Sequence, residues 1–434
     1  MPNQILIANL YNPHEQSKQE LIDSFVVRLK IFHKLFSEIK KSDMKYAEEH
    51  FLIEAQRGMG KTTLLLRLSY EIENDAELNT WLIPIVFKEE SYYGITRLFK
   101  LWEETARLLE SGEPKFAGLF NQMEAQYDEN KDYERLCFEI LTNALKQHHK
   151  KLILFIDNLS ELFKNFDDME CHRLREILMN CPEMRIIGAT AGTLEASFHY
   201  EHAFYEFFKK APLPGLDKEE TYSLLRELAK TYQKTAVMDN IIAHQPGRIE
   251  SLRILTGGVI RTMVLLFEIF TDHENGNSVS DLEKILDRVT PLYKHRMDDL
   301  APMQRDVVHA MALSWDAVSP EEIAKKIRMS SDKVTEILAQ LEKFAMIQRT
   351  ATDTQMNFYY LQERFFNIWY LMRLAPKGSH SRVIWLVRFL ESWYDEAGLV
   401  ERARQHIEVL SRGEYYPKAS VLYHRSIGKN REIG

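Results

Sequence analysis

A glycine-rich run that ends in a lysine and two threonines carries the clearest chemistry in the sequence: Arg57, Gly58, Met59, Gly60, Lys61, Thr62 and Thr63. Glycines allow a tight turn whose backbone N–H groups point at one phosphate, and a following helix adds the partial positive charge of its N-terminus. Lys61 can place its ammonium on the β- and γ-phosphates of a nucleotide, Thr62 can offer a hydroxyl to Mg²⁺, and Thr63 can contact the α-phosphate. The alternative is a glycine-rich turn that carries a lysine by coincidence.

The context of this run favours phosphate binding. It follows the short apolar segment His50–Ala55 and precedes a stretch with helical spacing, so strand, loop and helix come in the required order. Ala55 stands where the strict phosphate-loop pattern has glycine, a departure that many proteins with this loop tolerate.

Asp157 is the second candidate, because it ends the apolar segment Lys151–Asp157. A carboxylate at the C-terminal end of such a strand can hold Mg²⁺ through water. Its alternative role is a helix N-cap, which is common for an aspartate after a strand. The phosphate loop upstream favours the metal role, so the predicted ligands are ATP and Mg²⁺, with Thr62 and Asp157 as the metal residues.

The segments between these residues predict the scaffold that positions them. Apolar runs at His50–Ala55, Trp81–Phe87, Lys151–Asp157 and Met184–Thr190 alternate with helical spacing, and Lys210–Leu216 is a candidate fifth strand. Short, continuously apolar strands separated by helices indicate a parallel sheet covered on both faces. The fold class is therefore α/β.

Composition and charge exclude several classes of function. The chain has 434 residues, of which 45% are hydrophobic and 28% charged, as in globular proteins of roughly two to four domains. Its net charge of −8 excludes a chain-wide basic surface for nucleic acid. Three cysteines without metal-ligand spacing are typical of reduced cytosolic thiols. Without a secretory signal or an apolar run near the roughly 20 residues of a membrane span, we expect a cytoplasmic protein with no membrane contact.

The motifs resemble those of P-loop ATPases on the AAA+ and STAND side, and most closely the archaeal-type ATPases and related replication initiators. The resemblance extends over about Asn12–Arg373 and implies a sheet domain followed by a helical lid. Asn12–Arg28 is similar to the box that contacts adenine in that family, which implies a nucleotide role for Phe25 and Arg28. Alternatively, these two side chains are the exposed end of a leader helix.

Two further site residues follow from the same resemblance. Met184–Thr190 resembles the sensor-1 strand, which implies that Thr190 lies near the γ-phosphate; alternatively, Thr190 ends a buried strand. Leu255–Leu266 resembles the sensor-2 segment of the lid, which implies that Arg261 lies over the phosphates, where its planar fork can bind two oxygens. Alternatively, Arg261 is a solvated helix arginine, although the preceding Gly257-Gly258 break favours a lid arginine.

The sequence departs from the AAA+ pattern at its catalytic carboxylate. AAA+ proteins usually have a glutamate after the strand-end aspartate, but this chain has Asn158, whose amide cannot accept a proton from water. Glu161 lies about one helical turn further on, and Glu89 and Glu90 end the second strand, where RecA-like ATPases place their glutamate. We prefer the Glu89/Glu90 pair over Glu161, and the alternative is that all are solvated surface acids.

A second departure concerns the arginine finger of AAA+ rings, which usually follows sensor-1. Leu194–Leu216 contains no arginine, and its cations are Lys209 and Lys210. Lysine is a point charge and matches a transferring phosphoryl group less well than arginine does. This argues against a standard hexameric motor and fits a slow switch.

The prediction divides the chain into five segments: a leader (1–50), a P-loop ATPase core (51–216), a helical lid (217–300), a winged helix (301–373) and a C-terminal helical segment (374–434). The winged helix follows from Ser319–Arg373, which has a capped helix start, a second apolar helix and the hairpin-like run Ile347–Leu361. Its second helix has mixed charge, which favours a structural or protein-contact role over DNA binding.

Three functions remain open on this reasoning. The first is an ATP-binding, slowly hydrolysing regulatory switch with an unknown protein partner and nucleotide-dependent self-association. The second is a DNA-associated ATPase, such as an initiator, loader or transposition regulator, which contacts DNA through the winged helix. The third is a nucleotide-gated scaffold with little hydrolysis.

Overall fold

A computed structural model describes residues 13–128, 132–191, 203–271, 278–314, 316–344, 346–351 and 357–373. The chain divides into two compact units. Among the described residues, the sheet unit takes those up to Ala55 together with Gly60–Leu213, and the helical unit takes Gln56–Met59 together with those from Pro214 onward. The predicted C-terminal helical segment, 374–434, lies outside the described residues, and the five-segment division stays a prediction.

The sheet unit contains the parallel sheet that the apolar segments predict, which confirms the α/β class. Its strands are β1 (Phe51–Glu54), β2 (Leu82–Phe87), β3 (Lys151–Ile156), β4 (Met184–Thr190) and β5 (Lys209–Pro212). They lie in the order β2-β3-β4-β1-β5, with every neighbouring pair parallel. The candidate fifth strand therefore exists, although it ends earlier than predicted.

The strand register brings the carboxyl ends of β1, β3 and β4 to one edge of the sheet. Glu54 of β1 lies opposite Thr190 of β4, and Ile156 of β3 lies opposite Gly188. In parallel sheets this edge is where ligands usually bind, because the loops that leave the strands gather there. Ala55, Asp157 and Thr190 therefore share the edge that a ligand would approach.

Helices cover both faces of this sheet and bury β3 and β4 almost throughout. They are α1 (Lys18–Ser24), α2 (Leu29–Lys41), α3 (Lys61–Asn74), α4 (Leu98–Gly112), α5 (Leu119–Glu124), α6 (Tyr133–Gln147), α7 (Leu159–Phe163) and α8 (Asp168–Asn180). Short 3-10 helices lie at Pro13–Glu15, Leu78–Thr80, Glu89–Tyr93 and Pro114–Phe116. Helix α3 packs against β2, β3 and β4, so the helix that starts at Lys61 is fixed on the sheet.

The helical unit begins with five helices: α9 (Lys218–Thr231), α10 (Thr235–His244), α11 (Pro246–Thr256), α12 (Ile260–Thr271) and α13 (Ser278–Asp298). Asp217 starts α9 with a capping box. Its side chain accepts a hydrogen bond from the backbone N–H of Glu220, and the Glu220 side chain accepts one from the backbone N–H of Asp217.

The helical unit continues with three helices, a two-stranded hairpin and a closing helix, in the region predicted to be a winged helix. These are α14 (Pro302–Ala312), α15 (Pro320–Ile327), α16 (Ser331–Lys343), β6 (Ile347–Ala351), β7 (Asn357–Leu361) and α17 (Arg364–Arg373). Ser319 caps α15 with Glu322, and β6 pairs with β7 as an antiparallel hairpin. Among the described helices of the chain, none combines the length and apolar composition that crossing a bilayer needs.

Candidate functional site

Lys61 starts α3 at the edge of the sheet where β1 ends. Its side chain is only 7% exposed, and its Nζ donates a hydrogen bond of 2.9 Å to the carbonyl oxygen of Ala55. Gly60 caps the helix with φ +89°, a conformation that favours glycine. The ammonium and the helix N-terminus therefore lie together, and each favours a bound phosphate.

Asp157 follows β3 and is held by three neighbours within the sheet unit. Its Oδ2 accepts a hydrogen bond from the Thr62 hydroxyl, and its Oδ1 accepts the backbone N–H of Asn158 at 2.9 Å. Its carbonyl oxygen accepts the hydroxyl of Tyr92. The alternative role of Asp157 as a helix N-cap is wrong, because the N-cap of α7 is Asn158, with φ +47°.

The oxygen atoms of Thr62 and Asp157 fit Mg²⁺, which prefers hard oxygen ligands. The described residues contain no group of three or more His, Cys, Asp and Glu side chains that could hold a metal ion alone. Mg²⁺ commonly binds through one or two protein oxygens and completes its shell with water and substrate phosphates. The pair therefore suits a cation that arrives with a nucleotide.

Thr190 is fully buried at the end of β4, where it contacts the residue that follows β1 and a residue of α7. Its carbonyl oxygen accepts the N–H of Ala55 at 3.3 Å, and its Oγ1 lies 3.1 Å from the Ser160 Oγ. Gly188 makes this possible, since a Cβ there would lie 2.5 Å from the Leu159 side chain of α7. Sequence reasoning missed Ser160 and Tyr92; the only local signal for Ser160 is a hydroxyl three residues after Asp157.

Comparison with solved structures identifies this arrangement. A Walker-type ATPase of Pyrococcus abyssi matches with a TM-score of 0.52 at 15% identity, over 77% of this chain and 94% of that chain. The chain has the fold of a Walker-type P-loop ATPase.

Other solved structures match this P-loop ATPase fold less closely. The Orc1 protein of Aeropyrum pernix, in complex with DNA, has a TM-score of 0.39 at 12% identity, over 80% of this chain and 93% of that one. A STAND protein of Pyrococcus horikoshii with a tetratricopeptide repeat sensor has a TM-score of 0.32 at 15% identity, over 87% of this chain and 47% of that one. No protein-family model matches the sequence, and no curated protein does.

The remaining loop residues of this P-loop ATPase fold, Gln56–Met59, belong to the helical unit and contact its helices. The backbone N–H of Arg261 donates to the carbonyl oxygen of Gly58 at 3.0 Å. Gly58 has φ +85°, and a Cβ at this position would lie 2.9 Å from the Arg261 Cβ. A side chain at position 58 would therefore displace the loop or Arg261, whose backbone N–H and Cβ lie against Gly58 while the residue as a whole is partly exposed. Its role as a phosphate ligand stays a prediction.

Phe25 and Arg28 are both buried, so the alternative that they form an exposed helix end is wrong. Phe25 ends α1, and the Arg67 guanidinium of α3 lies 5.9 Å from its ring centroid and 4.5 Å from that of Phe32. Arg28 precedes α2 with φ +66°. The predicted adenine contact of these residues stays a prediction.

The candidate carboxylates differ in surroundings. The Glu161 side chain is 52% exposed and pairs with Lys164 at 2.8 Å, whereas Asn158 is buried. Glu89 and Glu90 start the 3-10 helix that follows β2, but their side chains lie outside the described residues. The strand that precedes them does neighbour β3, with Phe87 opposite Ile156.

Lys209 and Lys210, the cations of the region that lacks an arginine, both form ion pairs within the sheet unit. Lys209 lies 3.3 Å from Glu38 and 2.7 Å from Glu49. Lys210 lies 3.2 Å from Glu54, the last residue of β1. Both ammonium groups thus pair with acids of their own unit. This pairing argues against either lysine acting in place of an arginine finger on another subunit.

The three cysteines are free thiols. Burial raises the pKa of Cys137 and of Cys171 to about 11 and that of Cys181 to about 12. The thiolate is the reactive form, so none of these thiols is suited to nucleophilic chemistry at neutral pH.

Proposed function

We propose that the chain binds ATP with Mg²⁺, hydrolyses it slowly and acts as a regulatory switch. The observation that carries this proposal is the juxtaposition of Lys61 at the N-terminus of α3 with the Thr62–Asp157 pair at the same sheet edge. One cation, one helix terminus and two metal-binding oxygens are what a nucleoside triphosphate with Mg²⁺ needs.

Each predicted residue has a role in this proposal. Lys61 binds the β- and γ-phosphates, and its ammonium then gives up the hydrogen bond to the Ala55 carbonyl oxygen. Thr62 and Asp157 hold Mg²⁺, which neutralises phosphate charge when bound. Thr190 and Arg261 are each proposed to act on the γ-phosphate, and Thr63 is proposed to contact the α-phosphate. Phe25 and Arg28, the two buried residues of the leader, are proposed to contact the adenine.

Slow hydrolysis is proposed because the position after Asp157 is an amide. Asn158 cannot act as a general base at neutral pH, and Glu161 is drawn toward Lys164 at the surface. Glu89 or Glu90 is therefore the preferred carboxylate, because β2 is the neighbour of β3. The engagement of Lys209 and Lys210 in ion pairs further supports a switch over a ring motor.

The helical unit is the proposed reader of the nucleotide state. Gln56–Met59 of the phosphate loop belongs to that unit and contacts Arg261 within it. A change in the loop on binding or hydrolysis therefore acts directly on the lid helices and the winged helix. The protein partner that receives this signal, nucleotide-dependent self-association and a cytoplasmic location are part of the proposal.

DNA association is the alternative, and the charges of the winged helix favour it less. Lys333 of α16 pairs with Glu336 at 2.8 Å, and Arg349 of β6 lies 3.5 Å from Glu342. Cations paired with acids on the same surface release few counterions from a phosphate backbone. Salt-dependent binding of duplex DNA by the purified chain would favour the alternative.

The test is calorimetric binding of ATP to the purified chain with and without Mg²⁺, together with phosphate release. We expect Mg²⁺-dependent binding and slow, measurable release. Binding without release would replace the switch with the nucleotide-gated scaffold, and the absence of ATP binding would refute both.

A further inference from the structure

Glu363 is a buried carboxylate in the helical unit, placed between β7 and α17 of the winged helix and only 4% exposed. Its Oε1 accepts the Thr262 hydroxyl of α12 at 2.7 Å and the Tyr293 hydroxyl of α13. Its Oε2 is paired with the guanidinium of Arg296, also on α13 and 6% exposed. One winged-helix carboxylate therefore holds the two lid helices together.

Arg296 continues this network to the phosphate loop. While one terminal nitrogen pairs with Glu363, Nη2 donates to the carbonyl oxygen of Arg57 at 3.1 Å. The Arg57 side chain also turns toward this region, because its Nε and Nη2 bind the two carboxylate oxygens of Asp299 at 2.7 and 3.3 Å. Arg57, Arg296, Asp299 and Glu363 all belong to the helical unit.

These contacts fix the direction of two N–H groups in the loop. In a planar trans peptide the carbonyl and the following N–H point in opposite directions. The Arg57 carbonyl points at Arg296, so the Gly58 N–H points away from it. The Gly58 carbonyl points at the N–H of Arg261, 3.0 Å away, so the Met59 N–H points away from α12. Both N–H groups therefore point away from the helical-unit groups that bind the preceding carbonyl oxygens.

We propose that Arg296 and Glu363 are positioning residues for the phosphate loop, through which the winged helix controls nucleotide affinity. This regulation rests on the proposed nucleotide site. Glu363 holds Arg296 in place, Arg296 orients the Arg57–Gly58 peptide, and the oriented N–H groups bind phosphate. A winged helix that moves and withdraws Glu363 releases Arg296 and loosens the loop. Because Thr262 follows Arg261 directly, the same carboxylate also fixes the helix turn that holds Gly58.

The competing explanation is an ion pair that only holds the helical unit together. Removing one partner leaves the other as an unpaired buried charge, which destabilises a protein whatever its function. The double variant Arg296→Met/Glu363→Gln avoids this problem, because it removes both charges and keeps an oxygen acceptor for Thr262 and Tyr293. Arg296→Lys is a second variant, since its single ammonium keeps the charge but lacks the fork that reaches two acceptors.

The control is Arg373→Met/Asp287→Asn, which removes an exposed ion pair between α13, the helix that carries Arg296, and α17, the helix that follows Glu363. Hydrogen exchange of the peptide that covers residues 54–60 is measured without nucleotide, and Mg·ATP affinity is measured separately. We expect faster loop exchange and about tenfold weaker ATP binding in the double variant and in Arg296→Lys, as for the loss of one charge-assisted hydrogen bond. The control should match wild type in both.

Wild-type loop exchange and ATP affinity in a folded double variant and in Arg296→Lys would overturn the positioning role. Should the double variant fail to fold, Arg296→Lys decides alone. The two proposals fail separately, because the exchange readout needs no nucleotide. A wild-type chain that binds no ATP refutes the proposed function, and the exchange of residues 54–60 still shows whether Arg296 orders the loop.

Discussion

The hydroxyl of Thr62 donates a hydrogen bond to the carboxylate of Asp157, although 95 positions of the sequence separate the two residues. The contact exists because α3 starts at Lys61 while β3 ends at Ile156, and both positions lie at the same edge of the sheet. It brings together the two protein oxygens that a Mg²⁺ ion bound with ATP would use. The first prediction follows from this pair.

Asp157→Asn should weaken Mg²⁺-dependent ATP binding and lower turnover by about 100-fold or more, because the metal loses its only anionic protein ligand in the proposed site. ATP binding without Mg²⁺ should change little. The measurement is a Mg²⁺ titration of binding and phosphate release. Asp168→Asn is the control, since Asp168 is exposed at the start of α8. A wild-type titration in Asp157→Asn would remove this residue from the site.

Gly58→Ala should reduce ATP affinity by about tenfold or more while the chain stays folded. The substitution combines a φ of +85° with a 2.9 Å approach to the Arg261 Cβ, so the loop must move. Gly118→Ala is a matched control, because Gly118 has φ +82° but no atom within 4 Å of an added Cβ. Both changes should cost about 1 kcal/mol of stability for the backbone conformation alone. Equal ATP affinity in the two variants would contradict the packing argument.

A carboxylate other than position 158 should support hydrolysis. Glutamine replacements at Glu89, Glu90 and Glu161 should each leave ATP binding nearly unchanged, and one replacement should slow turnover by about 100-fold or more. We expect the sensitive position to be Glu89 or Glu90, because Glu161 is exposed and pairs with Lys164. Normal turnover in all three variants would place the base elsewhere or in a partner subunit.

The buried His50 should make the sheet unit less stable in acid. Burial lowers the pKa of His50 to about 4, while its ring accepts the Ile186 N–H at 2.9 Å and lies 3.1 Å from the Leu178 carbonyl oxygen. An unfolded histidine takes up its proton near pH 6.5, so the unfolded state binds more protons between that pH and 4. Stability is therefore complete above pH 6.5 and falls as the pH drops toward 4.

This loss should amount to about 2 kcal/mol between pH 7 and pH 5. The measurement is denaturant unfolding at both values, for wild type and for His50→Gln. The glutamine variant should lose this part of the pH dependence. His172→Gln is the control, because His172 is exposed on α8, and it should keep the wild-type pH dependence. An unchanged slope in His50→Gln would contradict the assignment.

Local motifs made part of the site predictable from sequence. Lys61 and Thr62 follow a strand and open a helix, and Asp157 follows another strand. The role of each could therefore be predicted from the residues next to it in the sequence. The capped starts of α9 and α15 were predictable for the same reason, since a capping box lies within four residues. The order of strands across the sheet was not readable in this way, because it depends on pairing between distant segments.

The buried network of the helical unit could not be predicted. Arg296 and Glu363 lie 67 positions apart in stretches without a motif, and each alone resembles an ordinary surface charge of a helical region. Their burial follows from how α12, α13 and the end of β7 pack, which no local pattern encodes. Phe25 and Arg28 illustrate the same limit, because an exposed helix end was an equally good prediction for residues that the fold buries.

The most direct test of the central claim is Mg·ATP binding and turnover by Lys61→Ala. Lys61 is buried. In the proposed site its ammonium binds the β- and γ-phosphates. Lys230→Ala is the control, because Lys230 is 68% exposed on α9 and pairs only locally with Glu227. We expect a folded Lys61→Ala protein that has lost ATP binding or turnover, and a control that matches wild type. Unchanged ATP affinity and turnover in folded Lys61→Ala would contradict the phosphate-loop assignment.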